Sequence, residues 1–266
     1  MKKIIFIAAA FATLLASCSK ETTFDTATTG KVKIKFDHIA HGKNLVLDTE
    51  LYTNNSNETY SISMLKYYIS NIKLTKTNGD IYEVPQNDSY FLVDESKIES
   101  LQPTFDAPEG EYIALEFNLG IDSNTNVQPL EGRLGVLDIA NNDMYWSWNS
   151  GYIFFKMEGS SEASSSQDKK FRYHIGLFGG MNSPTVNNNK IIKLDLNAAG
   201  TAKVQQNLSA DIHLITDVGT LFNGTTKISL AANPTVMVTG PNQEIANNYA
   251  TMFTHDHTHN YQKLDE

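Results

Sequence analysis

The chain has 266 residues, with 30 Asp and Glu against 21 Lys and Arg, seven histidines and one cysteine. A formal charge of −9 argues against nucleic acid as a partner. A lone cysteine rules out an intrachain disulfide and Cys-rich zinc sites.

Lys2 and Lys3 precede an apolar run from Ile4 to Leu15, too short for a permanent membrane span and the right length for a signal-peptide core. The run ends in Leu15-Ala16-Ser17-Cys18, a lipobox, so residues 1–17 read as a removable lipoprotein signal and Cys18 as the acylated first residue of the mature chain. The expected location is the bacterial outer membrane or cell surface, lipid-anchored, with the folded part in water there or in the periplasm. Residues 18–30 are Thr-rich and without periodicity, which predicts a flexible tether ahead of a single domain over 31–266.

Lys31 to Phe36 alternates, with Val32, Ile34 and Phe36 on one face and lysines on the other, and His38 continues the apolar parity inward. Tyr67 to Leu74, the pair Asn78-Gly79 and Ile81 to Val84 spell a hairpin, and Tyr90 to Val93 adds a short strand. After Glu109-Gly110, residues Ile113, Leu115, Phe117 and Leu119 face one way and Ala114, Glu116 and Asn118 the other, as in a half-buried antiparallel strand. Met144 to Gly159 holds both tryptophans; with Trp146, Trp148, Tyr152 and Phe154 on one parity and Ile153, Phe155 and Met157 on the other, it predicts a central strand. A surface loop over Ser160 to Lys170 and a return strand at Phe171 to Ile175 complete the pair.

Ile191 to Leu196, Asp211 to Val218 and Thr226 to Leu230 predict three further strands, with Asn223-Gly224 between the last two. One helix is expected, Glu244 to Phe253 capped by Asn242, with Ile245, Tyr249, Met252 and Phe253 in its apolar stripe. Regular strand spacing without long amphipathic runs predicts an all-β sandwich with one short C-terminal helix. No Gly-rich phosphate loop, Gly-x-Ser-x-Gly elbow or His-Glu-x-x-His helix is present, which points away from an enzyme.

His255-Asp256-His257-Thr258-His259 places imidazoles two apart, on one side of an extended segment, a spacing that suits copper, zinc, iron or nickel and equally a polar tail near the chain end. His38 on an apolar parity fits a hydrogen-bonded core histidine, and His174 beside Arg172 fits a solvated one. His41 and His213 have no special setting.

Several short motifs fall in order: Phe36-Asp37-His38, Tyr67-Tyr68-Ile69-Ser70-Asn71-Ile72, Gly110-Glu111-Tyr112 leading to Phe117 and Asp122, Trp146-Ser147-Trp148, Tyr173-His174-Ile175-Gly176, and Met252-Phe253 before His257-Thr258-His259. Together they resemble the MbnP-like copper-binding proteins, in particular the branch found in Bacteroidota lipoproteins. That resemblance implies a Greek-key β-sandwich in the cell envelope that binds copper for capture or storage. In characterised relatives a partner di-haem protein of the peroxidase type oxidises one tryptophan to kynurenine, which joins histidines at a Cu(I) site. The resemblance therefore implies Trp146 or Trp148 as the modified ligand and His38, His174, His257 and His259 as metal ligands. Proteobacterial members carry cysteines and a histidine in the stretch matching Asn124 to Pro129, and this chain has neither.

The competing reading is a surface sandwich that stacks glycans or peptides on Trp146 and Trp148. Burial separates the two: a stacking platform needs both indoles exposed, whereas a copper site needs one indole edge close to His38 or His174. A zinc hydrolase using the histidines with Glu158 or Asp256 ranks last, for want of a ligand motif.

Overall fold

The computed structural model describes residues 24–131, 133–140, 143–148 and 151–264. The signal segment, Cys18 and the first part of the expected tether lie outside the described residues. From Asp25 on the backbone is tied to the domain, since Asp25 N–H donates to the Glu109 carboxylate and Glu109 N–H to the Thr28 carbonyl.

Alternation builds β1 (Thr29–Ala40): Val32, Ile34, Phe36 and His38 are buried and the intervening lysines face outward, as expected. The chain turns through β2 (Lys43–Asn44) and β3 (Tyr52–Thr53) into β4 (Thr59–Lys76), the longest strand. Gly79, at φ +91, makes the tight turn to β5 (Ile81–Glu83), and β6 (Phe91–Asp94) also pairs with β4. Then follow β7 (Thr104–Pro108) and β8 (Gly110–Leu119). In β8 the expected parity is shifted at one point: Thr75 opposes Ala114 but Lys76 opposes Tyr112, so Ile113 is the extra residue of a bulge and Tyr112 turns inward in its place.

Helix α1 (Ser123–Val127) starts where the Asp122 carboxylate accepts from Thr125 N–H. A two-stranded hairpin, β9 (Tyr145–Trp146) and β10 (Gly151–Tyr152), precedes β11 (Phe155–Ser160) and β12 (Lys170–Ile175). The chain continues through β13 (Lys190–Asp195), β14 (Ala202–Val204), β15 (Leu208–Asp217), α2 (Thr220–Asn223), β16 (Thr235–Val236), α3 (Asn242–Tyr249) and β17 (Phe253–Lys263).

Two expectations are corrected here. Thr226 to Leu230 is not a strand, because the buried Glu58 carboxylate takes Leu230 N–H, Ala231 N–H and the Ser229 hydroxyl, groups a ladder would have used or left free. The C-terminal helix ends at Tyr249, and Phe253 opens β17 instead. Asn242 does not cap that helix, since its buried side chain donates to Val238 O and accepts from Asn188.

One sheet runs β17-β15-β1-β2, with β7 also on β1; the other runs β13-β8-β4-β11-β12-β16, with short strands beside β4 and β8. β1 and β15 are parallel, Lys31 opposite Ser209 through Ile39 opposite Asp217, so the chain leaves the first sheet, builds most of the second and returns. The inner faces meet in one core where Phe36 packs edge-on to Tyr67, ring centroids 5.7 Å apart. Each such large side chain taken from water contributes about 1.5–3 kcal/mol. The architecture is the expected all-β sandwich with a short C-terminal helix.

Candidate metal centre

The tryptophans do not lie in the central strand. Tyr152 N–H donates to Asn126 Oδ1, and Gly151 turns the chain there at φ +68, where an added Cβ would meet that same oxygen at 2.2 Å. The hairpin therefore closes on α1, and the strand that enters the sheet, between β4 and β12, begins only at Phe155. Trp146 is half-buried and rests on Gly176, where an added Cβ would come within 3.0 Å of indole Cζ3. Trp148 stacks on it, centroids 5.3 Å apart, and is 48% exposed. Only one of the two indoles is open to solvent on a rim.

His174 lies on β12 two residues before Gly176, which follows the last strand residue, Ile175, so Trp146 packs on the chain just past the end of the strand that carries His174. Its Nε2–H donates to Glu158 Oε1 at 2.7 Å. Burial lowers its pKa against the opposing pull of Glu158, so the ring is neutral at pH 7 and Nδ1 carries the lone pair. Lys156, opposite His174 on β11, joins Lys66 on the Asp143 carboxylate and pins the start of the hairpin to the sheet. Burial raises the Asp143 pKa, but the two ammonium groups outweigh it and hold the carboxyl down at about 2.

His38 is elsewhere, inside the sandwich. Its Nδ1 bonds Glu95 at 2.6 Å and its Nε2 bonds the Tyr67 hydroxyl at 2.8 Å, so both ring nitrogens are occupied. The structure places it as a satisfied core histidine.

The histidine-rich tail is a strand, β17, antiparallel to β15. His213 stands opposite His257, yet Leu214 stands opposite His255, so Asp256 is the extra residue of a bulge. Parity reverses across it. His255 joins Leu214's side and bonds Thr258, while His257 and His259 turn out beside His213. One nitrogen from each of His213, His257 and His259 lies within 4.8 Å of the other two, and His257 Nε2 and His259 Nε2 are 3.1 Å apart. Burial, then the neighbouring His257, Lys35 and His259, depress the His213 pKa to about 4, so this ring too is neutral at pH 7. Of the four histidines expected as ligands, the structure brings together His257 and His259, adds His213, and leaves His38 and His174 outside the group. The polar face of β15 is legible in sequence, but which strand it pairs with is not.

A family model for MbnP matches residues 29–238. Among solved structures, MbnP from Methylosinus trichosporium superposes with a TM-score of 0.55 at 17% identity, over 77% of this chain and 80% of that one, a likeness of fold. No curated protein sequence matches this chain.

Proposed function

The chain belongs to the MbnP family, and from that premise we propose that it is a non-enzymatic copper-binding lipoprotein of the bacterial envelope, anchored through Cys18. It would capture or store copper at the outer membrane or cell surface. The observation that carries this reading is Trp146 packed against Gly176, which follows the end of β12 two residues after His174. His174 fits a copper ligand as it stands, since a carboxylate orients its ring and one nitrogen keeps its lone pair. The indole does not fit in its present form, because its nitrogen is only a donor. Opening the ring to kynurenine frees an aniline nitrogen and a ketone, giving a low-coordinate nitrogen set without thiolate of the kind Cu(I) accepts. A partner protein of the di-haem peroxidase type would catalyse the oxidation with peroxide as oxidant, the indole C2 leaving as formate, and Trp148 offers the exposed approach.

Protein purified from its native host should show the kynurenine mass on the peptide containing Trp146. Trp146→Phe should then lower bound copper by one equivalent per chain. Equal copper in both forms would refute the reading. The exposed face of Trp148 favours a second one, stacking of a glycan or peptide, which predicts ligand binding lost in Trp148→Ala and indifferent to copper.

A further inference from the structure

We propose that His213, His257 and His259 form a separate metal site that takes a late first-row transition ion and needs no change to any tryptophan. The inference goes beyond the copper reading above, which concerns another part of the fold: His174 belongs to the sheet built around β4 and Trp146 to the β9–β10 hairpin, whereas these three histidines lie on the outer face of the sheet built around β15. Two of the three also lie past residue 238, where the match to the family ends.

Geometry supports the assignment first. Imidazole nitrogens that share one ion at about 2.0–2.1 Å lie roughly 3.3–3.6 Å from one another. His257 Nε2 and His259 Nε2 are already 3.1 Å apart, and the third ring needs no more than a side-chain adjustment to close the set. The His213 ring stacks on His257 with centroids 4.3 Å apart and meets His259 edge-on at 5.0 Å. Its Nε2 is buried with no hydrogen-bond partner, an unsatisfied group that an ion would relieve. His257 Nε2 and His259 Nε2 hydrogen-bond only each other, a contact an ion would replace, whereas His38 has spent both nitrogens on Glu95 and Tyr67.

The surroundings supply orientation. Asp256, the bulge residue, accepts from His257 Nδ1 at 2.7 Å, which fixes the tautomer and presents Nε2 to the group. Lys35 faces His213 from β1, but its ammonium is held by Asp211 at 3.0 Å. No carboxylate belongs to the group itself. Three imidazole nitrogens and no oxygen suit copper, zinc or nickel and reject calcium or magnesium. His259 is exposed, so the fourth coordination position opens to solvent and the ion can exchange.

The test uses the full chain purified with Trp146 unoxidised, checked by peptide mass, and zinc as the probe against a chromophoric chelator. One equivalent should bind, calcium should not compete, and His213→Gln, His257→Gln and His259→Gln should each weaken it at least ~10-fold. His255→Gln, His174→Gln and Trp146→Phe should leave it unchanged. A wild-type measurement guards against misfolded variants: with 15N-labelled histidine, zinc should move three of the seven imidazole signals. No shifted signals, or binding lost equally in His255→Gln, would overturn the site. Copper lost in Trp146→Phe while zinc moves no imidazole signal would sink this inference and spare the copper reading; zinc bound at the three histidines with no copper at Trp146 would do the reverse.

Discussion

Two histidine regions of this molecule look alike in composition and differ in how their nitrogens are used. Two residues before the glycine on which Trp146 rests, His174 is one imidazole, held by Glu158, whose prospective partner is an indole that cannot yet coordinate. On the other sheet three imidazoles from two strands converge with nitrogens already near the spacing of shared ligands. The lesson is that burial and motif do not identify a ligand histidine. Accounting for each ring nitrogen does, and His38, buried and family-like yet fully bonded, marks the opposite extreme.

The largest expected effect tests that extreme. His38→Ala should cost about 2–4 kcal/mol, because it leaves a cavity and strips the buried Tyr67 hydroxyl of its partner. Chemical denaturation would show this as a lower midpoint, with metal uptake unchanged; a loss of metal without loss of stability would make His38 a ligand and break the contrast.

Next, the two orienting carboxylates should act only locally. Glu158→Gln should weaken copper at the Trp146 region about 10-fold, and Asp256→Asn should weaken zinc at the three histidines about 10-fold, each leaving the other site alone. Competition titrations on both variants check it, and cross-effects would mean that the regions are coupled.

The smallest effect concerns the clamp under the hairpin. The folded pKa of Asp143 lies below its unfolded value of 3.8, at about 2, so its contribution is complete above 3.8 and is lost as pH falls through 2. With half of the side chain exposed, solvent screening limits it to about 1 kcal/mol or less. Asp143→Asn should therefore flatten the acid transition between pH 4 and 2, followed by tryptophan fluorescence, with no change at the three histidines.

Much of the strand plan was readable along the chain. The period-2 pattern of β1 assigned Val32, Ile34, Phe36 and His38 to the interior, and Asn78-Gly79 marked the turn between β4 and β5, because alternation and turn chemistry are local properties. Where a distant group captured the backbone, local reading failed: Glu58 removed the strand expected at Thr226 to Leu230, and Asn126 cut the tryptophan hairpin away from β11. The aromatic parity expected around Trp146 did not hold: Tyr152, Ile153 and Phe154 are all buried in a second, smaller core beneath the hairpin, and Trp148 is exposed.

Sequence by itself determined the β class, the inward turn of His38 and the spacing of the tail histidines, while leaving open whether that tail was extended or a polar end. Tertiary structure alone decided that His213 joins His257 and His259, that Asp256 bulges so that His255 leaves their face, and that Trp146 comes to rest on Gly176. The physical reason is that periodicity assigns a side chain to a face of its own strand, whereas a metal site depends on which strand lies alongside and in what register, and a one-residue shift of register moves a side chain to the opposite face.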